Sequence, residues 1–292
     1  MTVDLAALSP KLIHLMLDTV FVVDRDNQIV FVSNACQTLL GYDADELIGT
    51  PITDYMHPED LAITHASIVR VMSGQPHIDF RNRYIRKDGG VVHILWSARW
   101  YEEEGVRVGV ARDVTARREA EAELRFLAHH DPLTGLTNRA LFYDRLDAAI
   151  RAARRHQGGL ALLFLDLNDF KGVNDTHGHA VGDRVLCRIA RRLESCVRET
   201  DTVARMGGDE FTVLLTNIQS PDAVARKVKQ IAAVMTEPLV PDLEGVKAPS
   251  CSIGVARYPT DGEDADTLLS LADSDMYRIK RRRAQTGAAP SS

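Results

Sequence analysis

The chain has 292 residues, 45% hydrophobic and 26% charged, with a formal net charge of −6. Its length sets two domains as the expectation, and its balance is that of an ordinary globular protein. The negative charge argues against broad duplex nucleic-acid binding, no run approaches the ~18 apolar residues of a membrane-spanning helix, and four scattered cysteines (Cys36, Cys187, Cys196, Cys251) without a Cys-x-x-Cys pair suggest neither a disulfide framework nor a zinc site.

The most apolar early segment, Leu5 to Leu17, is interrupted or flanked by Asp4, Lys11, His14 and Asp18 and has neither a basic leader nor a small-residue cleavage site. A cytoplasmic chain with no membrane insertion is therefore expected. Phe21 to Val23 and Ile29 to Val32 read as short strands around the polar turn Asp24-Arg25-Asp26-Asn27. Brief helices follow, one stopped by Gly41 and one opened by Asp43 and Glu46 in capping-box spacing. A longer helix is expected from Pro58-Glu59-Asp60 to about Ser73-Gly74, with acids on its first turn. Three strands complete this half. Ile78 to Arg86 turns at Lys87-Asp88-Gly89-Gly90 into the alternating Val92, Ile94, Trp96, Ala98 and Trp100, and Glu104-Gly105 leads into Val106, Val108 and Val110.

Two strands, small helices and three further strands make an α+β sensor layout. Gly41-Tyr42, Glu46-Leu47-Ile48-Gly49, His57-Pro58-Glu59-Asp60, Lys87-Asp88-Gly89-Gly90 and Asp113-Val114-Thr115 resemble a PAS domain over about residues 10 to 115. The resemblance implies an antiparallel sheet with short helices, here assigned to residues 1–113. PAS domains hold haem, flavins, small acids or nothing. His65 lies on the long helix, where haem-binding members can carry an axial ligand, but a surface or core histidine is the commoner case. Trp96 and Trp100 could stack on a flavin or simply belong to the core. The PAS ligand stays unknown at this stage.

Ala116 to His130 has no Gly or Pro and is rich in Ala, Glu, Arg and Leu, so residues 114–130 read as a helix. Ala120, Leu124 and Leu127 form a short coiled-coil-like seam. A solvated spacer or a parallel homodimer stalk would both fit. Asp131-Pro132 ends it.

In the second half, Leu141, Phe142, Leu146, Ala149 and Ile150 stripe a helix starting near Asn138. Ala161 to Leu165 reads as a strand buried on both faces, ending at Asp166. A carboxylate there is costly unless paired or metal-bound. Gly182-Asp183 opens the next helix. Thr202 to Ala204 and Phe211 to Leu215 are strands joined through Gly207-Gly208, where a hairpin needs positive φ or a backbone approaches a ligand, and Asp209 and Glu210 project from the turn. A helix near Asp222 to Met235, a strand at Ser250 to Ala256 and a helix from Asp266 to Arg283 follow. The order β-α-β-β-α-β predicts a ferredoxin-like sheet with the hairpin beside the first strand, so that Asp166 and Asp209 converge. Two hard carboxylates at one point suit Mg²⁺ (or Mn²⁺) beside phosphates, and Lys171 is placed to meet a phosphate.

Asp131-Pro132-Leu133-Thr134-Gly135-Leu136-Thr137-Asn138-Arg139, Phe164 to Lys171, Val173-Asn174-Asp175, Gly178-His179, Gly182-Asp183 and Gly207 to Phe211 appear in the order of the GGDEF domain of diguanylate cyclases, which this segment resembles. The resemblance covers about residues 126 to 283 and assigns 131–285 to that domain and 286–292 to a disordered tail. It implies two GTP condensed into cyclic di-GMP by a homodimer, Asp166, the Leu167 carbonyl and Asp209 as metal ligands, and Asp209 as acceptor of the 3′-hydroxyl proton with Glu210 supporting the metal. It further implies Asn174, His179 and Asp183 at the guanine, Lys171, Gly207, Gly208 and Lys280 at the substrate, and Arg198 with Asp201 as an RxxD product-inhibition site. Asn168 departs from the family's usual second aspartate, and Arg281-Arg282-Arg283 replaces the usual Gly-Arg-Asn ending. A catalytically silent domain sensing GTP or cyclic di-GMP, or a scaffold recruiting a phosphodiesterase, is the alternative.

Overall fold

A computed structural model of the chain describes residues 17–218, 220–239, 243, 245, 246 and 248–287. They fall into two compact units that divide between Ala122 and Glu123. All of the early apolar segment but Leu17, and residues 288–292 of the expected tail, lie outside the described residues. No helix among the described residues is long and apolar enough to cross a membrane.

The first unit runs β1 (Thr19–Asp24), β2 (Ile29–Val32), α1 (Cys36–Leu40), α2 (Ala44–Leu47), short 3₁₀ turns at Ile52–Tyr55 and Pro58–Asp60, α3 (Leu61–Met72), β3 (His77–Ile85), β4 (Val91–Tyr101) and β5 (Val106–Asp113). Its strands form one five-stranded antiparallel sheet in the order β2-β1-β5-β4-β3. The capping box of Asp43 and Glu46 is present at α2. The long helix starts at Leu61 rather than Pro58. Asp60 ends the 3₁₀ turn because its carboxylate is engaged by the Arg83 amide (2.7 Å) and guanidinium (2.7 and 3.0 Å), tying the helix start to β3.

On β5 the buried positions are Arg107, Gly109 and Ala111, while Val106, Val108 and Val110 are half-buried. A side chain at Gly109 would crowd the Trp96 ring. His65, weighed as a haem ligand, is exposed on α3, whose inward face carries Thr64, Ser67, Ile68 and Val71. Trp96 is core, whereas Trp100 lies at the rim, donating to Glu102 at 2.6 Å under the Arg25 guanidinium.

Helix α4 (Thr115–His129) crosses the division, and Leu124, Phe126 and Leu127 on it are exposed. The second unit contains α5 (Arg139–His156), β6 (Gly159–Leu167), α6 (Phe170–His177), α7 (His179–Ser195), β7 (Thr202–Gly207), β8 (Glu210–Ile218), α8 (Pro221–Met235), β9 (Cys251–Tyr258) and α9 (Ala265–Gly287). Its four-stranded sheet has the order β7-β8-β6-β9 with every neighbour antiparallel, which is the expected ferredoxin-like arrangement. Helix α6 was not foreseen, and α7 begins at His179, not Gly182. The last helix continues through 286 and 287, which the sequence assigned to a tail.

Strand β6 is sealed on both faces. Ala161, Leu163, Leu165 and Leu167 meet Val185, Ile189 and Leu193 of α7 with Ile231 and Met235 of α8. Leu160, Leu162 and Phe164 meet Phe142 and Leu146 of α5 with Leu268, Ala272 and Met276 of α9. Gly254 on β9 sets the closeness of α9, since a Cβ there would overlap the Ala272 carbonyl and the Met276 backbone. The Asp275 carboxylate of α9 accepts from the Val255 amide of β9 at 3.1 Å. Gly254→Ala should therefore destabilise the second unit by about 2–3 kcal/mol. The loss is read in a thermal melt by circular dichroism, while tryptophan fluorescence, whose sources Trp96 and Trp100 both lie in the first unit, should not move.

Candidate functional site

Because side chains alternate along a strand, Asp166 continues the face of Leu160, Leu162 and Phe164, the face that α9 covers. It is 6% exposed, and the Lys280 ammonium of α9 meets its Oδ1 at 2.5 Å. Its direct cross-strand partner is Glu210 on β8. The Leu167 amide donates to the Asp209 carbonyl at 3.2 Å, so the end of β6 and the β7–β8 turn are in contact. Asp166 and Asp209 thus converge as expected, but Lys280, expected on a phosphate, holds Asp166, and Glu210 stands closer to the centre than the sequence indicated.

The electrostatics match this crowding. Burial raises the Asp166 carboxyl, Lys280 opposes that, and Asp209 and Asp273 add to it. Burial also raises Glu210, followed by Asp166, Asp273 and Asp209, with Lys280 opposing. Asp273 was missed in the sequence. It stands two helical turns before Lys280 on α9, so the i, i+7 spacing was the available signal, though only the docking of α9 gives it meaning.

The turn is held from outside the hairpin. Gly208 has φ +53°, the left-handed region that favours glycine. The Arg205 guanidinium donates to the Gly208 carbonyl at 2.8 and 3.0 Å and to both Asp131 oxygens at 3.0 and 3.1 Å. Asp131 also accepts from the Thr134 amide (2.9 Å) and hydroxyl (2.6 Å). The Arg205 amide donates to the Thr137 carbonyl at 3.0 Å. One guanidinium therefore fastens the 131–137 loop to the turn that presents Asp209, a link between distant residues that sequence reading did not find.

Helix α6 starts at Phe170, just past the end of β6, and carries Lys171, which is exposed, and Asn174, which is half-buried. Gly182 on α7 has no room for a side chain because the Asn174 amide oxygen and the Phe170 ring press against it. This contact puts Asn174 beside the turn of α7 that bears Asp183, while His179 opens the helix; Asp183 and His179 are both exposed. Asn168 donates to Ser250 Oγ at 3.1 Å and accepts from Ser252 Oγ at 2.8 Å. An aspartate at this position could not donate the first bond.

Arg198 and Asp201 line one groove with Ser220, Arg226 and Lys227. The Asp201 carboxylate accepts from the Arg198 amide at 3.1 Å and the Thr216 amide at 3.0 Å.

Among the described residues, no three His, Cys, Asp or Glu side chains close into a ready-made metal centre. The set Asp166, Asp209 and the Leu167 carbonyl still fits a hard divalent cation. All its donors are oxygens, and Asp166 and Glu210 each feel the negative charges of Asp209 and Asp273, with Lys280 as the cation opposing them.

Comparison with known proteins bears on this arrangement. The family model "Diguanylate cyclase, GGDEF domain" matches residues 128–286, and that of the PAS fold matches 10–114. The chain is 44% identical over 165 residues to the diguanylate cyclase TpbB of Pseudomonas aeruginosa, covering 56% of this chain and 38% of TpbB. It is 30% identical over 270 residues to the diguanylate cyclase DgcM of Escherichia coli, covering 88% of this chain and 62% of DgcM. The chain thus spans less than two thirds of either relative. The GGDEF domain of TpbB superposes with a TM-score of 0.51 at 45% identity, over 53% of this chain and 90% of that one. The coiled coil and GGDEF domain of DgcB from Caulobacter crescentus, solved with cyclic di-GMP, gives a TM-score of 0.51 at 29% identity, over 58% of this chain and 89% of that one.

Arg205→Ala removes charge-assisted bonds to Asp131 and Gly208 and should cost about 1.5–3 kcal/mol in urea unfolding. Amide hydrogen exchange at Gly208 and Asp209 should accelerate with it.

Proposed function

The chain belongs to the GGDEF-domain diguanylate cyclases and carries a PAS fold ahead of that domain, and from this membership we propose that it condenses two GTP into cyclic di-GMP and two pyrophosphates. The observation that carries the proposal is the meeting of Asp166, Asp209 and Glu210 at the sheet end from which α6, with Lys171 and Asn174, departs.

Asp183 accepts hydrogen bonds from guanine N1–H and N2–H₂, a pattern adenine cannot offer, with Asn174 and His179 completing that end. Lys171 meets the phosphates as a point charge, and the Gly207-Gly208 backbone allows close approach. Asp209 accepts the proton of the 3′-hydroxyl, whose oxygen bonds to the α-phosphorus of the facing GTP as the bond to the pyrophosphate oxygen breaks. Asp166, Asp209 and the Leu167 carbonyl would hold a divalent cation, Mg²⁺ or Mn²⁺, with Glu210 supporting them; when bound it supplies neutralisation of phosphate charge. Lys280 then passes from Asp166 to a phosphate.

Each domain holds one GTP, so two must face each other, and a homodimer is part of the reaction. The exposed Ala120, Leu124 and Leu127 of α4 supply a seam for it and a route by which the PAS fold regulates the cyclase. Arg198 and Asp201 take product guanine in their groove as an inhibitory site, with Arg226 and Lys227 adding positive charge.

Incubation with GTP and Mg²⁺ should yield cyclic di-GMP, and Asp209→Ala should lower the rate roughly 10³-fold or more while leaving the circular dichroism spectrum unchanged. If the wild-type chain makes no product, the enzymatic reading fails. A second readout does not need turnover. Because burial and like charge raise Asp166 and Glu210, their contribution to stability is present below the ordinary carboxylate range and is lost as pH rises through the raised values. Above those raised values the cluster is repulsive, so Mg²⁺ without nucleotide should raise the melting temperature of the second unit there. The rise should shrink as the carboxylates protonate in acid.

A further inference from the structure

Asn168, the residue after the Leu167 carbonyl, is tied to the start of β9 by three hydrogen bonds. Its backbone amide donates to the Ser250 carbonyl at 2.7 Å. Its Nδ2 donates to Ser250 Oγ at 3.1 Å, and its Oδ1 accepts from Ser252 Oγ at 2.8 Å. Ser252 is 1% exposed and pairs directly with Asp166 across the β6–β9 ladder. Both ends of the side-chain amide are thus taken up by serine hydroxyls beside the carboxylate at the centre of the site.

These bonds fix a direction. The Leu167–Asn168 peptide is trans, since the one cis peptide among the described residues is Tyr258–Pro259. In a planar trans unit the N–H and the C=O point to opposite sides. The N–H of this unit goes to Ser250 on the β9 side, so the Leu167 carbonyl points to the β8 side. On that side the Leu167 amide donates to the Asp209 carbonyl at 3.2 Å, so the Leu167 carbonyl faces the turn that carries Asp209.

Strand pairing alone does not hold the chain on this course. Strand β6 ends at Leu167, and Asp169 turns the backbone with φ +58°, in the left-handed region that is unfavourable for a residue with a side chain. Such a conformation persists where its surroundings fix it, and the bonds of Asn168 lie between the carbonyl and the bend. The amide does this without adding to the negative charge that Asp209 and Asp273 already bring to bear on Asp166.

We propose that Asn168 is a positioning residue for the divalent cation: clasped by Ser250 and Ser252, it aims the Leu167 carbonyl at the space shared with Asp166 and Asp209. The inference rests on the metal-site reading above and adds to it a residue that touches neither the cation nor the substrate. Groups that orient a metal ligand typically change metal affinity about 10–100-fold when they are removed.

The full chain, without nucleotide, is titrated with Mg²⁺ while the melt of the second unit is followed by circular dichroism, each variant against its own metal-free melt. Asn168→Ala should raise the Mg²⁺ concentration that gives the half-maximal rise in melting temperature about tenfold. The tryptophan fluorescence transition, reported by Trp96 and Trp100 of the first unit, should not respond. Asn168→Asp keeps two acceptor oxygens, to which both serine hydroxyls can donate, and adds a charge, so its Mg²⁺ requirement should equal that of the wild type or fall below it. In turnover, Asn168→Ala should also need more Mg²⁺, yet regain kcat to within about twofold of the wild type at saturation, as befits a residue away from the reacting atoms. Should Asn168→Ala fold poorly, Ser250→Ala keeps Asn168 and its main-chain bond, and should shift the Mg²⁺ requirement the same way by a smaller factor.

A role confined to stitching β6 to β9 would lower the metal-free melting temperature of Asn168→Ala and leave its Mg²⁺ titration unchanged. That result, or a loss in Asn168→Asp as deep as in Asn168→Ala, would overturn the proposal while the wild-type response leaves the metal-site reading standing. A wild-type melt that ignores Mg²⁺ would instead remove the metal-site reading, and this proposal with it.

Discussion

A carboxylate at the end of a strand sealed on both faces must find a cation, and the second unit is arranged around how Asp166 finds one. The buried face of β6 that leads to Asp166 is the face that α9 covers, so the helix whose apolar residues close that core also delivers Lys280. The approach depends on Gly254, where any side chain would strike the helix backbone. Packing and charge are therefore one constraint: the buried Asp166 carboxylate meets the half-buried Lys280 ammonium only when the helix docks closely on the sheet.

The same arrangement keeps the cluster under electrostatic tension. Glu210 lies directly across from Asp166, and Asp209 and Asp273 add further negative charge. Like charges opposite each other on a sheet weaken it, so the cluster reads as a place where stability yields to chemistry rather than as a structural network. Arg205 works against that tension from the rear. By joining Asp131 to the Gly208 carbonyl it holds the turn in a fixed shape without touching the carboxylates themselves.

The first unit shows the same signature in another form. Arg107 occupies a core-face position, where the alternation of β5 calls for an apolar residue, and one of its nitrogens is left without a partner. In both units a charged residue breaks the hydrophobic pattern, and the break is informative because burial makes an unmatched charge so unfavourable.

The sequence alone determined the two-unit layout, the order of the strands, the hairpin with its Gly-Gly turn, and the family to which the motifs belong. These follow from local causes: alternation along β4, the continuous apolar run of β6, the capping box at Asp43, and the left-handed backbone that Gly208 supplies. Tertiary structure decided what lies across space. It placed Lys280 on Asp166, brought Asp273 to the cluster, tied Arg205 to Asp131, pressed Asn174 against Gly182 and turned Arg107 inward. Each of these joins residues whose meeting depends on how helices dock on a sheet. No periodicity in the chain encodes that docking, because it is set by the fit of side chains from elements far apart in sequence.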